Sequence, residues 1–376
     1  MPASRRDFLI SAVLATPLWK AARTLGPPWP GYEQAMVIDC LASPGPFNTP
    51  ARTGAPLTDE MIANAVSSGI TAVNVTVSAG GAGHASFDNT VAEIGYWERE
   101  LQTHPQALLK VRSVADLVEA KRTRRLGLIF GLQDAVMLEG DVNRLTLFHR
   151  LGVKIVQLTY NGRNLLGDGC LEPHDAGLSR HGRDVVARMN ELGMLVDTSH
   201  CGTQTTNDAI EVSRSPVAAT HSGCKGVFDH PRSKSDETLR RLSAKGGVIG
   251  IYMMPFLNAA GQPTGDDLVR QIEHALKVCG EDHVGIGSDL SITPHRVTPE
   301  YERAHRQFVA DRQRAGIAAP REEDYMFVAD MNTPRRLELI ADRLLARGHS
   351  TARVEKVIGG NWLRLFREVW KPGPPA

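Results

Sequence analysis

The sequence predicts an α/β fold, a (β/α)8 TIM-type barrel in one domain. Eight short runs are continuously apolar and rich in β-branched residues, a pattern typical of parallel strands covered on both faces. Helical patterns separate these runs, and eight strands in such alternation favour a closed barrel over an open sheet. The predicted strands are residues 36–40, 70–77, 127–132, 154–160, 194–198, 217–220, 248–252 and 283–288.

Clear start and stop signals mark the helices between these strands. Residues 184–192 have helical apolar spacing and are followed by Gly193, a residue type that commonly ends helices. Ser235 precedes another helical pattern in the position of an N-cap. The basic cluster at 121–125 lies where a helix should end, and cations there interact favourably with the helix dipole.

Composition excludes some classes of partner. The 376 residues are 42% hydrophobic and 23% charged, as in ordinary globular proteins that bury a large core. A net charge of +1 argues against nucleic acid as a partner. The five cysteines are an odd number without CxxC spacing, so no disulfide framework or zinc ribbon is indicated.

The N-terminal segment is predicted to be a targeting signal. Residues 1–26 contain the pair Arg5 and Arg6 before an apolar run, as in a twin-arginine signal, and a basic N-terminus without structure is the alternative. The run is too short for a comfortable membrane span, so no stable span is expected after processing. We therefore expect a periplasmic or exported protein whose barrel covers 27–376, with a long, charged, lid-like loop at about 293–333.

Three polar side chains lie at the predicted carboxyl ends of strands. His200 and His221 follow two consecutive apolar runs, and Asp289 follows the last one. The carboxyl ends of barrel strands are where barrel enzymes assemble their active sites. Imidazoles and a carboxylate are ligands of zinc in metal-dependent hydrolases. The sequence therefore predicts a metal-dependent hydrolytic site at this end of the barrel.

A set of motifs in a fixed order carries a family resemblance. The chain resembles the membrane (renal-type) dipeptidases, as a divergent bacterial branch, over about residues 37 to 370. No single motif is specific, but the combination is. The matching stretches are 177–186, 195–200, 220–222, 229–232, 246–250, 282–289 and 359–364.

The resemblance implies a barrel that cleaves dipeptides with two zinc ions and tolerates a D-residue at the carboxyl side. His200 and His221 match the imidazole ligands of one zinc. Asp289 matches the carboxylate that handles the proton of the attacking water, and is also a candidate third ligand. Arg232 matches the arginine that binds the free carboxylate of the dipeptide, a role suited to a bidentate guanidinium. Family members are often dimers, so a homodimer is a further expectation.

Several residues depart from the family pattern. The first strand should end in Asp-Gly-His-x-Asp, but residues 39–43 are Asp-Cys-Leu-Ala-Ser, so both zinc ligands are absent. Gln133 replaces the bridging glutamate and brings no charge, which leaves it as a weak ligand or water-orienting group. Tyr160 replaces the histidine that steadies the substrate oxyanion, and a phenol can donate the same hydrogen bond. We therefore expect one zinc ion rather than two.

Alternative roles stay open for several residues. Tyr160 and Asn161 are candidates for contact with the substrate, yet Tyr160 could simply pack at the barrel mouth. Asp39 is either a support for the site or a structural carboxylate at a strand end. Cys40 is either a replacement thiolate ligand or a small buried residue, and Asp134 is a weaker candidate than Gln133.

Three functional hypotheses follow from these residues. The first is a metal-dependent hydrolase of a dipeptide or related amide with a free carboxylate. The second is an exported dipeptidase-like protein of secondary metabolism with changed chemistry. The third is a non-catalytic homologue that retains the carboxylate-binding arginine. The loss of first- and third-strand ligands weakens the first hypothesis without removing it.

Overall fold

The computed structural model describes residues 28–47, 55–78 and 86–371. The predicted signal segment 1–26 and residues 27, 48–54, 79–85 and 372–376 lie outside these ranges. Eight parallel strands form a closed barrel, as the sequence predicts. We number them in chain order as β1 Ile38–Asp39, β2 Ala72–Thr76, β3 Leu126–Leu132, β4 Val153–Gln157, β5 Leu195–Asp197, β6 Ala218–Cys224, β7 Val248–Ile251 and β8 Val284–Ile286.

Each strand pairs with its sequence neighbours around the barrel. The register places Ile38 opposite Ala72 between β1 and β2, and Asp197 opposite Ala218 between β5 and β6. Asp39 lies opposite Ile286, which joins β1 to β8 and closes the ring. Because all strands run in one direction, their carboxyl ends meet at one mouth, where the predicted site residues lie.

Helices surround the barrel. Their bounds are Asp59–Ser67, Phe87–Thr103, Val114–Thr123, Arg144–Arg150, Arg180–Leu192, Thr203–Val212, Asp236–Ala244, Gly265–Cys279, Pro299–Arg314, Arg336–Ala346, Thr351–Glu355 and Asn361–Val369. Gly193 ends one of them with φ 65°, and the Ser235 hydroxyl accepts a hydrogen bond from the Thr238 amide at the start of another. These two predicted helix signals are confirmed.

Several short strands and turns lie outside the eight barrel strands. Two-residue strands Ala42–Ser43 and Leu290–Ser291 pair with each other beyond β1 and β8. Leu108–Val111 pairs with the beginning of β3, and Ser233–Lys234 pairs with the end of β6. Short 3-10 turns occupy Val136–Leu138, Pro255–Leu257 and Ala329–Met331, and a π-helical turn occupies Lys356–Gly360.

The barrel interior is filled by apolar side chains from its own strands and from the last helix. Trp362 is fully buried, and its indole N–H donates to the Ile286 carbonyl at 3.0 Å. A Cβ at Gly285 would lie 2.4 Å from the Trp362 indole nitrogen, so only glycine admits the ring there. The interior is therefore a packed core, and polar chemistry is confined to the strand ends.

The predicted loop at about 293–333 is largely ordered by local structure. Pro299–Arg314 is a helix whose N-cap, Thr298, accepts a hydrogen bond from the Tyr301 amide. Contacts from this segment reach the barrel mouth, as described below. The segment 293–333 is called the lid from here on.

Candidate active site at the barrel mouth

The two predicted metal-binding histidines converge at the mouth. His200 lies three residues beyond the end of β5, and His221 lies within β6. Their Nε2 atoms are 2.9 Å apart. Both side chains are buried, with 4% of His200 and 0% of His221 exposed. The structure thus brings together two residues that are 21 positions apart in sequence.

Asn161 fixes the tautomer of His200. The Asn161 amide nitrogen donates to the Ile317 carbonyl at 2.8 Å, so its Oδ1 faces His200. This oxygen lies 2.5 Å from His200 Nδ1 and can only accept, so Nδ1 carries the proton. The Nε2 atom of His200 therefore presents a lone pair.

A buried carboxylate fixes the tautomer of His221 through a hydroxyl. The Thr220 hydroxyl donates to Asp197 Oδ2 at 2.6 Å, which uses its only proton. The Thr220 hydroxyl oxygen also lies 2.9 Å from His221 Nδ1, so Nδ1 donates to this oxygen. The Nε2 atom of His221 therefore also presents a lone pair, and it faces that of His200.

Two lone pairs facing each other at this distance repel unless a cation lies between them. Nitrogen ligands of one tetrahedral zinc, at about 2.0–2.1 Å from the ion, lie about 3.3 Å apart, so a small movement of either ring would accommodate an ion. The histidines therefore fit one divalent metal ion. Within the described ranges, no cluster of three or more His, Cys, Asp or Glu side chains is placed to hold a metal, so Asp289 as third ligand remains a prediction.

Burial keeps both imidazoles neutral. Removal from water is the main cause that lowers the pKa of His200 and His221 well below the ordinary value, and the Arg232 charge lowers both further. Neutral imidazole is the form that binds metal. The electrostatics of the site therefore agree with the hydrogen-bonded tautomers.

Arg232 is a buried cation beside the two histidines. Its guanidinium donates to the Ser199 carbonyl at 2.5 Å and to the His221 carbonyl at 3.4 Å. Within the described ranges it forms no ion pair, whereas the partly buried Arg312 pairs with Glu322. These contacts leave part of its five donors for a further acceptor. The remaining donors suit the predicted binding of a substrate carboxylate.

Tyr160 joins the histidines to the lid. Its ring stacks on His200 with a centroid distance of 4.2 Å, and its hydroxyl oxygen accepts from Arg312 Nη1 at 3.2 Å. Burial raises the pKa of Tyr160, so the phenol stays protonated and can still donate. Arg312 is held in turn by Glu322, with Nη2 donating to Oε1 at 2.7 Å.

Asp289 lies in a turn built by the first strand. Its backbone has φ 64°, and its N–H donates to the Leu41 carbonyl at 2.8 Å. The preceding Ser288 donates from its amide and its hydroxyl to the Asp39 carboxylate at 2.7 and 2.6 Å. Asp39 also pairs with buried Arg336 at 3.3 Å. Asp39 is thus a structural carboxylate that positions the turn before Asp289.

The third-strand residues separate into two roles. The Asp134 carboxylate accepts from the Ala135 amide at 2.7 Å and from the Asn164 amide at 2.8 Å, so it shapes the turn after β3. The Gln133 side chain makes no hydrogen bond within the part of the chain that the structure describes, and it is half-buried. Burial raises the pKa of the Cys40 thiol well above its usual range, which disfavours a thiolate ligand there.

Two groups of supporting residues were not among the sequence predictions. Asp197 and Thr220 orient His221, and both stand in the same motifs as the histidines, so polar residues preceding a strand-end histidine were an available signal. Arg312 and Glu322 reach the site from the lid. No local pattern distinguishes them from the other charged residues of that segment.

Sequence comparisons relate the chain to a known family. The family described as membrane dipeptidase, peptidase family M19, matches residues 52–300. The chain is 31% identical over 288 residues to "Dipeptidase verJ" of Clonostachys rogersoniana, covering 76% of this chain and 66% of that protein. It is 29% identical over 290 residues to "Dipeptidase tcpJ" of Claviceps purpurea, covering 76% and 61%. The matches thus span somewhat less than two thirds of the length of these relatives.

Solved structures share the architecture. An amidohydrolase from Pseudomonas aeruginosa superposes with a TM-score of 0.78 at 33% identity, covering 90% of this chain and 98% of that one. A metallo peptidase from Rhodobacter sphaeroides, liganded with a phosphinate mimic of the dipeptide L-Ala-D-Ala, has a TM-score of 0.70 at 18% identity, covering 89% and 99%. The second likeness shows the fold alone. Since the family match covers most of the chain, this protein belongs to the membrane dipeptidase family, peptidase family M19.

Proposed function

We propose that the protein is a metal-dependent hydrolase that cleaves a dipeptide or a related amide with a free carboxylate, using one zinc ion. The observation that carries the proposal is the pair of Nε2 lone pairs of His200 and His221, which face each other at 2.9 Å beside buried Arg232. Membership of a dipeptidase family supports the reaction class. The dipeptidase names of the curated relatives support the substrate class.

Each residue has a defined part in this proposal. His200 and His221 would hold the ion, with Asp289 as a third ligand or base and Gln133 as a weak ligand. A divalent ion in this position supplies Lewis-acid chemistry, lowering the pKa of a water to about 7 and polarising the scissile carbonyl. Asp289 accepts the proton of the attacking water and returns it to the leaving amine. The Tyr160 hydroxyl donates to the developing oxyanion, and Arg232 binds the substrate carboxylate.

The lid controls access in this proposal. Arg312 bonds to the Tyr160 hydroxyl, and the Ile317 carbonyl accepts from Asn161, so lid residues contact two site residues directly. His230, beside Arg232, lies 2.9 Å from the Pro320 carbonyl of the lid. With the histidines and Arg232 buried, substrate entry requires these contacts to open.

A second candidate is a non-catalytic protein that binds a carboxylate. The favouring observation is that Asp39 is committed to Ser288 and Arg336, so the first strand contributes no free ligand. This candidate keeps the Arg232 pocket without turnover. A dipeptidase-like enzyme with changed chemistry in secondary metabolism would have the same site geometry. Screening of substrates distinguishes such an enzyme from the binding protein.

The test combines metal analysis with kinetics on the purified protein. We expect one zinc per chain and hydrolysis of members of a panel of L,L and L,D dipeptides. Arg232→Ala should mainly raise KM, by about 10- to 200-fold, since a charge-assisted contact of roughly 1.5–3 kcal/mol is lost. Asp289→Asn should mainly lower kcat. Two zinc ions per chain would refute the one-ion assignment, and no cleavage with zinc, cobalt or manganese would favour the binding protein.

Export through the twin-arginine route is a separate proposal, based on Arg5 and Arg6. In the described part of the chain, no helix is long and apolar enough to cross a membrane. Replacing both arginines with lysine should block export, which cell fractionation measures. An unchanged periplasmic yield would defeat the signal assignment.

A further inference from the structure

A second recess lies at the opposite end of the barrel from the histidines. It has a volume of about 570 Å³ and lies near the beginning of β4, where Lys154 is the second strand residue. Tyr160 lies beyond the carboxyl end of the same strand, six residues away, which corresponds to roughly 20 Å of extended chain. The recess, here called the basal recess, is lined by five lysines and arginines together with His149 and Trp370; the five are Arg112, Arg150, Lys154, Arg367 and Lys371.

Unpaired positive charge dominates the basal recess. Five of its lining residues are lysines or arginines, and none of its lining residues is an aspartate or glutamate. Across the described ranges, none of the five forms an ion pair. By contrast, Lys110 and Arg364, which are close to them in sequence, each pair with a glutamate. Cations that converge without counter-ions repel each other, so the arrangement favours an anionic occupant.

Lys154 is the most informative of these cations. It is 5% exposed, and its amine contacts His149 Nε2 at 3.5 Å and lies 5.6 Å from the centre of the Trp370 ring. Lys234 is similarly buried, with 4% exposure. In contrast to Lys154, it donates to the carbonyls of Thr198 and Cys201 at 2.7 Å each. Among the described residues, Lys154 thus lacks the oxygen acceptors that a buried ammonium ordinarily has, and it lines the recess.

Further donors surround this lysine. Trp370 is largely buried, and its indole N–H has no acceptor within the described residues. The ten-residue helix Val114–Thr123 begins at the recess. The Ser113 side chain caps the Asp116 amide, and the amides of Val114 and Ala115 have no partner within the helix. The nearby Asp116 carboxylate accepts from the amides of Arg112 and Ser113 at 2.9 and 2.8 Å, so it is held by the backbone.

We propose that the basal recess binds a small soluble molecule with a phosphate ester or diphosphate group. Several cations around one recess, a buried ammonium without an oxygen acceptor in the described residues and a helix N-terminus together match a multiply charged oxyanion better than a single carboxylate. A concave recess suits a small soluble ligand, whereas a membrane surface would be matched by a flat or protruding basic patch. The site is independent of the proposed hydrolytic function, because it shares no residue with the mouth.

Calorimetric titration of the full-length protein with inorganic pyrophosphate tests the proposal. We expect saturable binding that weakens as salt rises. Arg150→Gln/Arg367→Gln, two exposed positions whose change should not disturb folding, should raise the dissociation constant about tenfold or more. Lys154→Met should have a similar effect. The matched control Arg240→Gln/Lys277→Gln removes two charges elsewhere and should leave the dissociation constant within about twofold.

Three results would overturn the assignment. One is the absence of saturable pyrophosphate binding by the wild type at low salt. Another is equal weakening by the control pair, which would show that only net charge matters. The third is binding to phosphatidylcholine vesicles that contain phosphatidylglycerol but not to pyrophosphate, since that would identify a membrane-binding surface.

Discussion

The two sides of the barrel mouth use their polar residues in opposite ways. On the side of β5 and β6, the Nδ1 atoms of both histidines are hydrogen-bonded. Asn161 bonds to that of His200, and Asp197 reaches that of His221 through Thr220, so both Nε2 atoms remain available. On the side of β1 and β8, the Asp39 carboxylate is consumed by Ser288 and Arg336. The comparison shows that a strand-end position alone does not make a ligand. The hydrogen-bond partners behind it decide whether a side chain holds a metal or the fold.

The largest effect should come from removing the proposed zinc ligand on the β6 side. His221→Ala leaves one imidazole, so we expect zinc to be lost and hydrolysis to fall by about a thousandfold or more. Elemental analysis and dipeptide kinetics measure both. The exposed His174 provides the control, because His174→Ala should change neither. Full zinc content in the His221 variant would contradict the ligand assignment.

On the β1 side, the expected effect is on stability. Arg336→Leu leaves the Asp39 carboxylate buried without its cation, which should cost about 3–5 kcal/mol in the free energy of unfolding. The neighbouring Arg335 makes half-exposed pairs with Glu33 and Glu338, so Arg335→Leu should cost about 1 kcal/mol or less. Urea denaturation measures the difference. Equal losses for the two variants would mean that Asp39 does not depend on Arg336.

A change behind the metal ligand should have an intermediate effect. Thr220→Val removes the hydroxyl that accepts from His221 Nδ1 and leaves the imidazole itself in place. We expect zinc affinity to fall by about 10- to 100-fold, as is usual for such supporting residues. Competition with a chelator measures this affinity, and Thr333→Val in the lid is the control. An unchanged affinity would remove Thr220 from the positioning role.

The lid contact beside Arg232 predicts a pH dependence. Burial lowers the pKa of His230 to about 4, and its Nδ1 accepts from the Arg232 amide at 3.1 Å, which requires the neutral ring. Since the unfolded histidine titrates near 6.5, the unfolded chain binds more protons below that value. Stability should therefore fall as pH drops from 7.5 to 5.5, by about 1.4 kcal/mol for this residue. His230→Gln should remove that part of the loss, and an unchanged pH slope in urea denaturation would contradict it.

The smallest effect is expected at the third strand. Gln133→Glu restores a carboxylate at the half-buried position after β3. Without first-strand ligands, we expect the zinc stoichiometry to stay at one and the activity to change by less than about tenfold. Elemental analysis measures the stoichiometry. Two zinc ions per chain would contradict the prediction and would mean that the missing charge at residue 133 alone prevents binding of a second ion.

The strands, the barrel fold and the family could be predicted from the local sequence. The eight apolar runs specified eight barrel strands, because parallel strands buried on both faces need continuous apolar residues. The strand boundaries differ by a few residues, as in β6, which extends to Cys224 beyond the predicted residue 220. The ordered motifs around His200, His221 and Asp289 identified the family and placed these residues at one mouth.

The partners of the buried polar residues became known only from the tertiary structure. The local sequence does not state that Asp39 meets Arg336, 297 positions away, or that Arg312 of the lid reaches Tyr160. Nor does it show that Lys154 is buried among cations from three distant segments, with no oxygen acceptor in the described part of the chain. Apolar periodicity is a local property that fixes the strands. The charge state and partners of a buried polar group depend on atoms brought close by the closed barrel, and these determine whether it binds, catalyses or stabilises the fold.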